Sequence, residues 1–82
     1  MRIRIEEEIY TGTPREIMKQ IWGNSFDKAQ FPDLEGYIRH LCEAFTRMTD
    51  VPCKKEPDIE AQAKELLMAL ADIDALEVLS NG

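Results

Sequence analysis

The sequence predicts one α+β domain over residues 1–82, a small N-terminal antiparallel β-hairpin or sheet packed against three α-helices. Three observations carry that prediction. Isoleucine alternates with arginine over residues 2–5, a helix-starting motif stands at Thr13–Glu16, and three separate stretches repeat apolar residues at helical spacing. A chain of 82 residues removes roughly 60% of its unfolded surface from water, so one core must suffice. The apolar share of 44% and charged share of 32% give a folding balance rather than that of a disordered chain.

In Arg2-Ile3-Arg4-Ile5 the isoleucines fall on one side and the arginines on the other, the period-two pattern of a half-buried strand. Ile9-Tyr10-Thr11 is strand-like again, with Ile9 in the parity of Ile3 and Ile5. Either one strand runs from 2 to 11 or a hairpin turns at Glu6-Glu7-Glu8. The hairpin is preferred because a lone strand has nothing to pair with unless the C-terminus supplies it, although three carboxylates include no residue that takes positive φ cheaply.

Thr13-Pro14-Arg15-Glu16 is the sharpest local signal: Thr13 caps a helix, Pro14 takes its first position and Glu16 closes a capping box. Gly12 permits a tight turn before it. Ile17, Met18, Ile21 and Trp22 form the buried face, and Gly23-Asn24 ends the helix in the usual glycine manner. Residues 23–32 are a loop holding Phe26 and Phe31.

Pro32-Asp33 starts a second helix, about 33–49, with Leu34, Tyr37, Ile38, Leu41, Ala44, Phe45 and Met48 in one apolar sector and Gly36, His40, Glu43 and Arg47 opposite. Residues 50–55 are a connector. The third helix, 57–72, begins at Pro57-Asp58 and carries Ile59, Ala63, Leu66, Leu67 and Leu70 as its core stripe. Residues 75–79 read as a continued helix or a short C-terminal strand. The strand is favoured because Asp72 and Asp74 oppose the dipole at a helix C-terminus.

The net charge of −6 is unevenly placed. Residues 1–55 hold nine basic and nine acidic side chains, whereas residues 56–82 hold seven acidic ones against Lys64 alone. Such a segment repels phosphate backbones and suits a basic protein partner. Arg2, Arg4, Arg15 and Lys19 are the one candidate basic edge, and the long connector between the second and third helices does not fit a helix-turn-helix, so nucleic acid is not the expected ligand. No apolar run approaches the ~20 residues of a membrane span, and the start has no signal-peptide core, so a cytoplasmic protein is expected.

Cys42 and Cys53 are expected to be free thiols, being too few for a disulfide framework. His40-x-Cys42 with Pro52-Cys53 faintly resembles the H-x-E…P-C-x-x-C pattern of zinc deaminases, but residues two apart on a helix point about 200° from each other and Cys53 has no second cysteine after it. No metal and no cofactor are therefore expected. Catalysis lacks a constellation: His40 stands on a polar face beside Glu43, Cys42 reads as a buried thiol, and neither Ser25 nor Ser80 has a nucleophile motif around it.

The candidate partner-binding residues are of two kinds. Asp58, Glu60 and Glu65 represent the acidic segment, with Ala61 and Met68 as a second, shallow apolar strip on the third helix. Trp22 and Phe26, beside Phe31, form a candidate aromatic patch.

Tyr10-Thr11-Gly12-Thr13-Pro14-Arg15-Glu16-Ile17, following a strand pair, resembles the start of small uncharacterised bacterial and prophage-type proteins with a G-T-x-x-E-I helix. The likeness covers about a quarter of the chain and implies a bacterial or mobile-element accessory protein, with no residue role to carry over. The expected function is a protein-binding or regulatory module without catalytic activity, with homodimerisation through the third helix as one mode of association. The alternatives are an acidic inhibitor that mimics nucleic acid, of the anti-CRISPR type, and a small enzyme subunit using His40.

Overall fold

In a computed structural model of the chain, which describes residues 1–24 and 26–80, the Ile/Arg alternation becomes strand β1 (Arg2–Ile5). It pairs antiparallel with β2 (Glu8–Thr11), Ile3 opposite Tyr10 and Ile5 opposite Glu8, so the hairpin turns on Glu6 and Glu7. A two-residue turn pairs residues of opposite parity. Tyr10 therefore joins Ile3 on the core side, and Ile9, expected there from parity, faces out at 43% exposure. Glu6 makes the turn at φ 56°, a left-handed conformation that costs a non-glycine residue about 1–2 kcal/mol.

Gly12, at φ 132°, redirects the chain from β2 into helix α1 (Pro14–Trp22). The capping box forms as expected: the Glu16 N–H donates to Thr13 Oγ1 at 3.2 Å and the Thr13 N–H to Glu16 Oε1 at 3.1 Å. Ile17 and Met18 are fully buried, and Ile21 and Trp22 are half-buried against the same core. The far end departs from expectation, because Gly23 is right-handed (φ −59°, ψ −25°). A Cβ there would stand 2.3 Å from the Lys19 carbonyl oxygen that its own N–H bonds, so close approach rather than positive φ calls for glycine.

Helix α2 (Leu34–Met48) is capped by Asp33, whose Oδ1 accepts the Gly36 N–H at 2.9 Å. Its buried residues are Ile38, Cys42 and Phe45, with Cys42 buried at one edge of the stripe, about 40° round the helix from Ile38 on the side away from Phe45. Met48, expected inside, lies roughly a quarter turn from the stripe and is 82% exposed. His40 is half-buried with its ring 4.9 Å from that of Phe31, so its surroundings are aromatic rather than open solvent.

Helix α3 (Ile59–Asp72) begins two residues later than expected, because Asp58 is the cap and Pro57 precedes it. It ends on paired bonds, Asp74 N–H to Ala71 O and Ala75 N–H to Leu70 O, the Schellman arrangement, with Asp74 at φ 60° where glycine is usual. The chain then returns as β3 (Glu77–Ser80) on the free side of β1, antiparallel, which settles residues 77–80 as strand and sets the order β2-β1-β3. A register shift between Arg2 and Ile3 leaves Leu79 as the extra residue of a bulge.

The fold is α+β, with the antiparallel sheet packed against the helices. Helix α3 is the central element, touching α1, α2 and β3, and Ala63, Leu66, Leu67 and Ala69 meet Ile3, Ile17, Met18, Ile38 and Phe45 in one core. Among the described residues no helix is long and apolar enough to cross a membrane.

Candidate functional site

The N-terminus of α1 is tied to α3 by Glu60. Its Oε1 accepts from Thr13 Oγ1 at 3.1 Å and its Oε2 from the Arg15 N–H at 3.2 Å, adding an acceptor from another helix to the two that the capping box supplies. A carboxylate at a helix N-terminus satisfies orphan N–H groups and meets the positive end of the dipole. Glu16 is held below its ordinary carboxyl value chiefly by the Thr13 backbone N–H, then by the Thr13 hydroxyl.

Beside this junction opens a cleft of about 590 Å³, between α1, the loop after it and the starts of α2 and α3. Thr13, Glu16 and Glu60 form one wall; Gly23, Phe26 and Leu34 supply apolar surface; Arg15, Lys19 and Lys28 bring cations. Its volume lies in the range of ligand sites. Phe26 is positioned by stacking on Tyr37 (5.5 Å between centroids, 26° between planes), and Phe31 meets Tyr37 edge-on. Lys28 Nζ stands 6.0 Å from the Phe26 ring centre.

Three cations, Arg15, Lys19 and Lys28, line this cleft against two carboxylates, Glu16 and Glu60. Glu16 and Glu60 are occupied by hydroxyl and backbone donors. Arg15 reaches Glu35 at 3.8 Å, while Lys19 and Lys28 have no carboxylate within ion-pair distance among the described residues.

The sequence-nominated residues are distributed rather than gathered. Glu60 and Phe26 line the cleft, whereas Trp22 lines a separate apolar groove with Leu41, Ala44, Phe45, Met48, Leu66 and Leu70. Asp58 accepts the Ala61 N–H as a cap, and Glu65 is half-buried near Cys53, whose thiol it helps to push up. Glu56 pairs with Lys54 at 3.6 Å, and Glu77 pairs with Arg4 across the sheet. The carboxylates of 56–77 thus serve different neighbours: Glu60 turns to α1, Glu65 to the connector and Glu77 to β1. Ala61 is half-buried and Met68 is 37% exposed, with Lys64 and Glu65 between them on the outward stripe of α3.

The basic edge also divides. Arg2 and Arg4 stand on the outer face of β1, opposite the core-facing Ile3, while Arg15 and Lys19 line the cleft. Ser25 lies outside the described residues.

Two features were missed from sequence. Lys28 drew no notice in its loop, where spacing carries no information about a cleft. Gln62 is 2% exposed on α3, and its Nε2 donates to Cys42 Sγ at 3.0 Å and Lys54 O at 3.0 Å while Oε1 accepts the Glu56 N–H at 3.0 Å. A signal existed: Gln62 is three residues after Ile59 and four before Leu66, inside the apolar stripe. His40 and Cys42 diverge as the helical angle requires, one to Phe31 and the other to Gln62.

No protein-family model matches this chain, and no curated protein or solved structure matches it either. The geometry itself offers a cleft in which Arg15, Lys19 and Lys28 stand beside Phe26 and Leu34, on an acidic α+β domain.

Proposed function

We propose that this chain is a protein-binding module, without catalytic activity, whose cleft beside the α1 N-terminus takes an acidic segment of a partner that also carries an aromatic or aliphatic side chain. One observation carries the reading: Lys19 and Lys28 hold open charge beside Phe26 and Leu34, while the carboxylates lining the same cleft are taken up by donors of the chain itself. Apolar surface with a few convergent charges is recognition chemistry, in which desolvation supplies affinity and charge supplies orientation and on-rate. The basic partner expected from the acidic segment is less well supported, because Asp58, Glu60, Glu65 and Glu77 face different neighbours. A nucleic-acid mimic needs those groups on one surface.

The likeness of residues 10–17 to bacterial and prophage-type proteins supports an accessory role of this kind, and two free buried thiols suit a reducing, cytoplasmic setting. Selection of short random peptides on immobilised wild type should enrich Asp or Glu next to Phe, Leu or Ile, with the enrichment lost on a Lys19→Glu/Lys28→Glu variant. Enrichment of basic peptides, or of acidic ones that the double variant retains, overturns the proposal.

A further inference from the structure

On the opposite side of α2 from the aromatic loop, the chain keeps two thiols together. Cys42, in the middle of α2, is 2% exposed, and Cys53, in the connector, is 5% exposed. Both sulfurs lie within reach of one amide nitrogen, Gln62 Nε2, at 3.0 Å from Cys42 Sγ and 3.9 Å from Cys53 Sγ. The Cys42 thiol also donates to the Cys53 carbonyl at 3.3 Å. They form the floor of a cleft of about 430 Å³ walled by Glu43, Thr46, Arg47 and Lys55, wide enough for a small oxidant.

We propose that Cys42 and Cys53 are a modification site, at which a peroxide converts the thiol pair into a reversible intramolecular disulfide that staples the connector to α2.

The roles of the two sulfurs differ. Burial, then the Cys42 side chain, pushes the Cys53 thiol up to about 12, with Glu65 adding to it, so Cys53 keeps its proton at neutral pH. Cys42 has the shorter bond from the Gln62 amide, and Arg47 and Lys55, the latter paired with Glu43 at 3.4 Å, line its approach. The Cys42 thiolate attacks one peroxide oxygen: an S–O bond forms, the O–O bond breaks, and hydroxide leaves and is protonated to water. The Cys53 sulfur then attacks the sulfenic acid. The S–S bond forms, the S–O bond breaks, and the hydroxyl departs as water with the Cys53 proton. Two thiols and one hydrogen peroxide give one disulfide and two waters, the two electrons passing from sulfur to oxygen.

The connector is built to accept this bond. It has no regular structure of its own, and it is held by the Cys53 N–H on Thr46 Oγ1 at 3.2 Å and by Gln62 on Lys54 and Glu56, so Cys53 approaches Cys42 without breaking a helix or strand. Closing a loop between residues 42 and 53 restricts the unfolded chain and raises the unfolding temperature.

Folded wild type, Cys42→Ser and Cys53→Ser proteins treated with hydrogen peroxide, then unfolded and alkylated with N-ethylmaleimide, test the proposal by intact mass and thermal denaturation. Wild type should lose two hydrogens, take up no maleimide and unfold at a higher temperature, all reversed by dithiothreitol, while each single variant forms no intramolecular bond. Two outcomes overturn the proposal: full maleimide labelling of wild type after a treatment that oxidises the urea-unfolded chain, or only disulfide-linked dimers and sulfinic acid.

Discussion

Gln62 joins three stretches of chain with one side-chain amide: α3 carries it, the Cys42 sulfur on α2 receives it, and the backbone of Lys54 and Glu56 in the connector uses both its ends. Replacing it with alanine leaves a carbonyl and an N–H partly buried and unpaired, each costing about 1–3 kcal/mol. Gln62→Ala should therefore lose about 2–4 kcal/mol in urea unfolding, and Gln62→Met, which restores volume without polarity, should recover little of it. A loss under about 1 kcal/mol would mean that water takes over both backbone groups. The spacing of Ile59 and Leu66 marks position 62 as inward, a signal the stripe of the third helix left out, but its partners lie in a connector whose path no spacing rule describes. Lys28 has the same history, since the fold brings its amine near the Phe26 ring that stacks on Tyr37.

Among the elements, helix starts were legible and chain reversals were not. Thr13, Asp33 and Asp58 cap their helices through oxygen atoms three residues from the N–H they accept, a contact that local sequence encodes in full. The reversals at Glu6 and Asp74 instead put residues that prefer negative φ into the left-handed region. They persist because β2 and β3 pair with β1 on either side and over-determine the turns. The sequence favours a strand over 75–79 and the structure has one at Glu77–Ser80, but the local stop is the Schellman turn at Asp74 rather than the dipole alone. Asp74→Gly should raise the unfolding temperature: removing left-handed strain of about 1–2 kcal/mol outweighs the 0.5–1 kcal/mol of extra unfolded-state entropy that glycine brings. A lower midpoint in thermal denaturation would show that the Asp74 side chain contributes more than its backbone costs.

For the whole molecule, stability should fall at both ends of the pH scale for different reasons. Glu16 has a folded pKa below its ordinary 4.5, so its contribution is present above that value and is lost as pH falls through the folded one. Cys53 runs the other way, its thiol raised from 9.0 to about 12, so stability is intact below 9.0 and declines as pH rises towards 12. Urea midpoints measured across pH should show both limbs, with Glu16→Gln flattening the acid one and Cys53→Ala the alkaline one. An alkaline limb unchanged in Cys53→Ala would assign it to other groups. At this scale net charge does not describe every surface. The chain is acidic, yet Arg15, Lys19 and Lys28 line one cleft together, while the carboxylates beside them, Glu16 and Glu60, turn to the cap and to the helix N-terminus.

By itself the sequence determined the α+β class, the existence of three helices and the start of the first, the first strand and most of the core, because each rests on contacts within a turn or two of chain or on a simple period. Only the tertiary structure decided the parity of β2, the central place of α3, the buried amide at Gln62 and the union of Lys19, Lys28, Phe26 and Glu60 around one cleft. Those depend on which elements meet. A meeting between residues dozens of positions apart leaves no periodic trace in the chain that makes it.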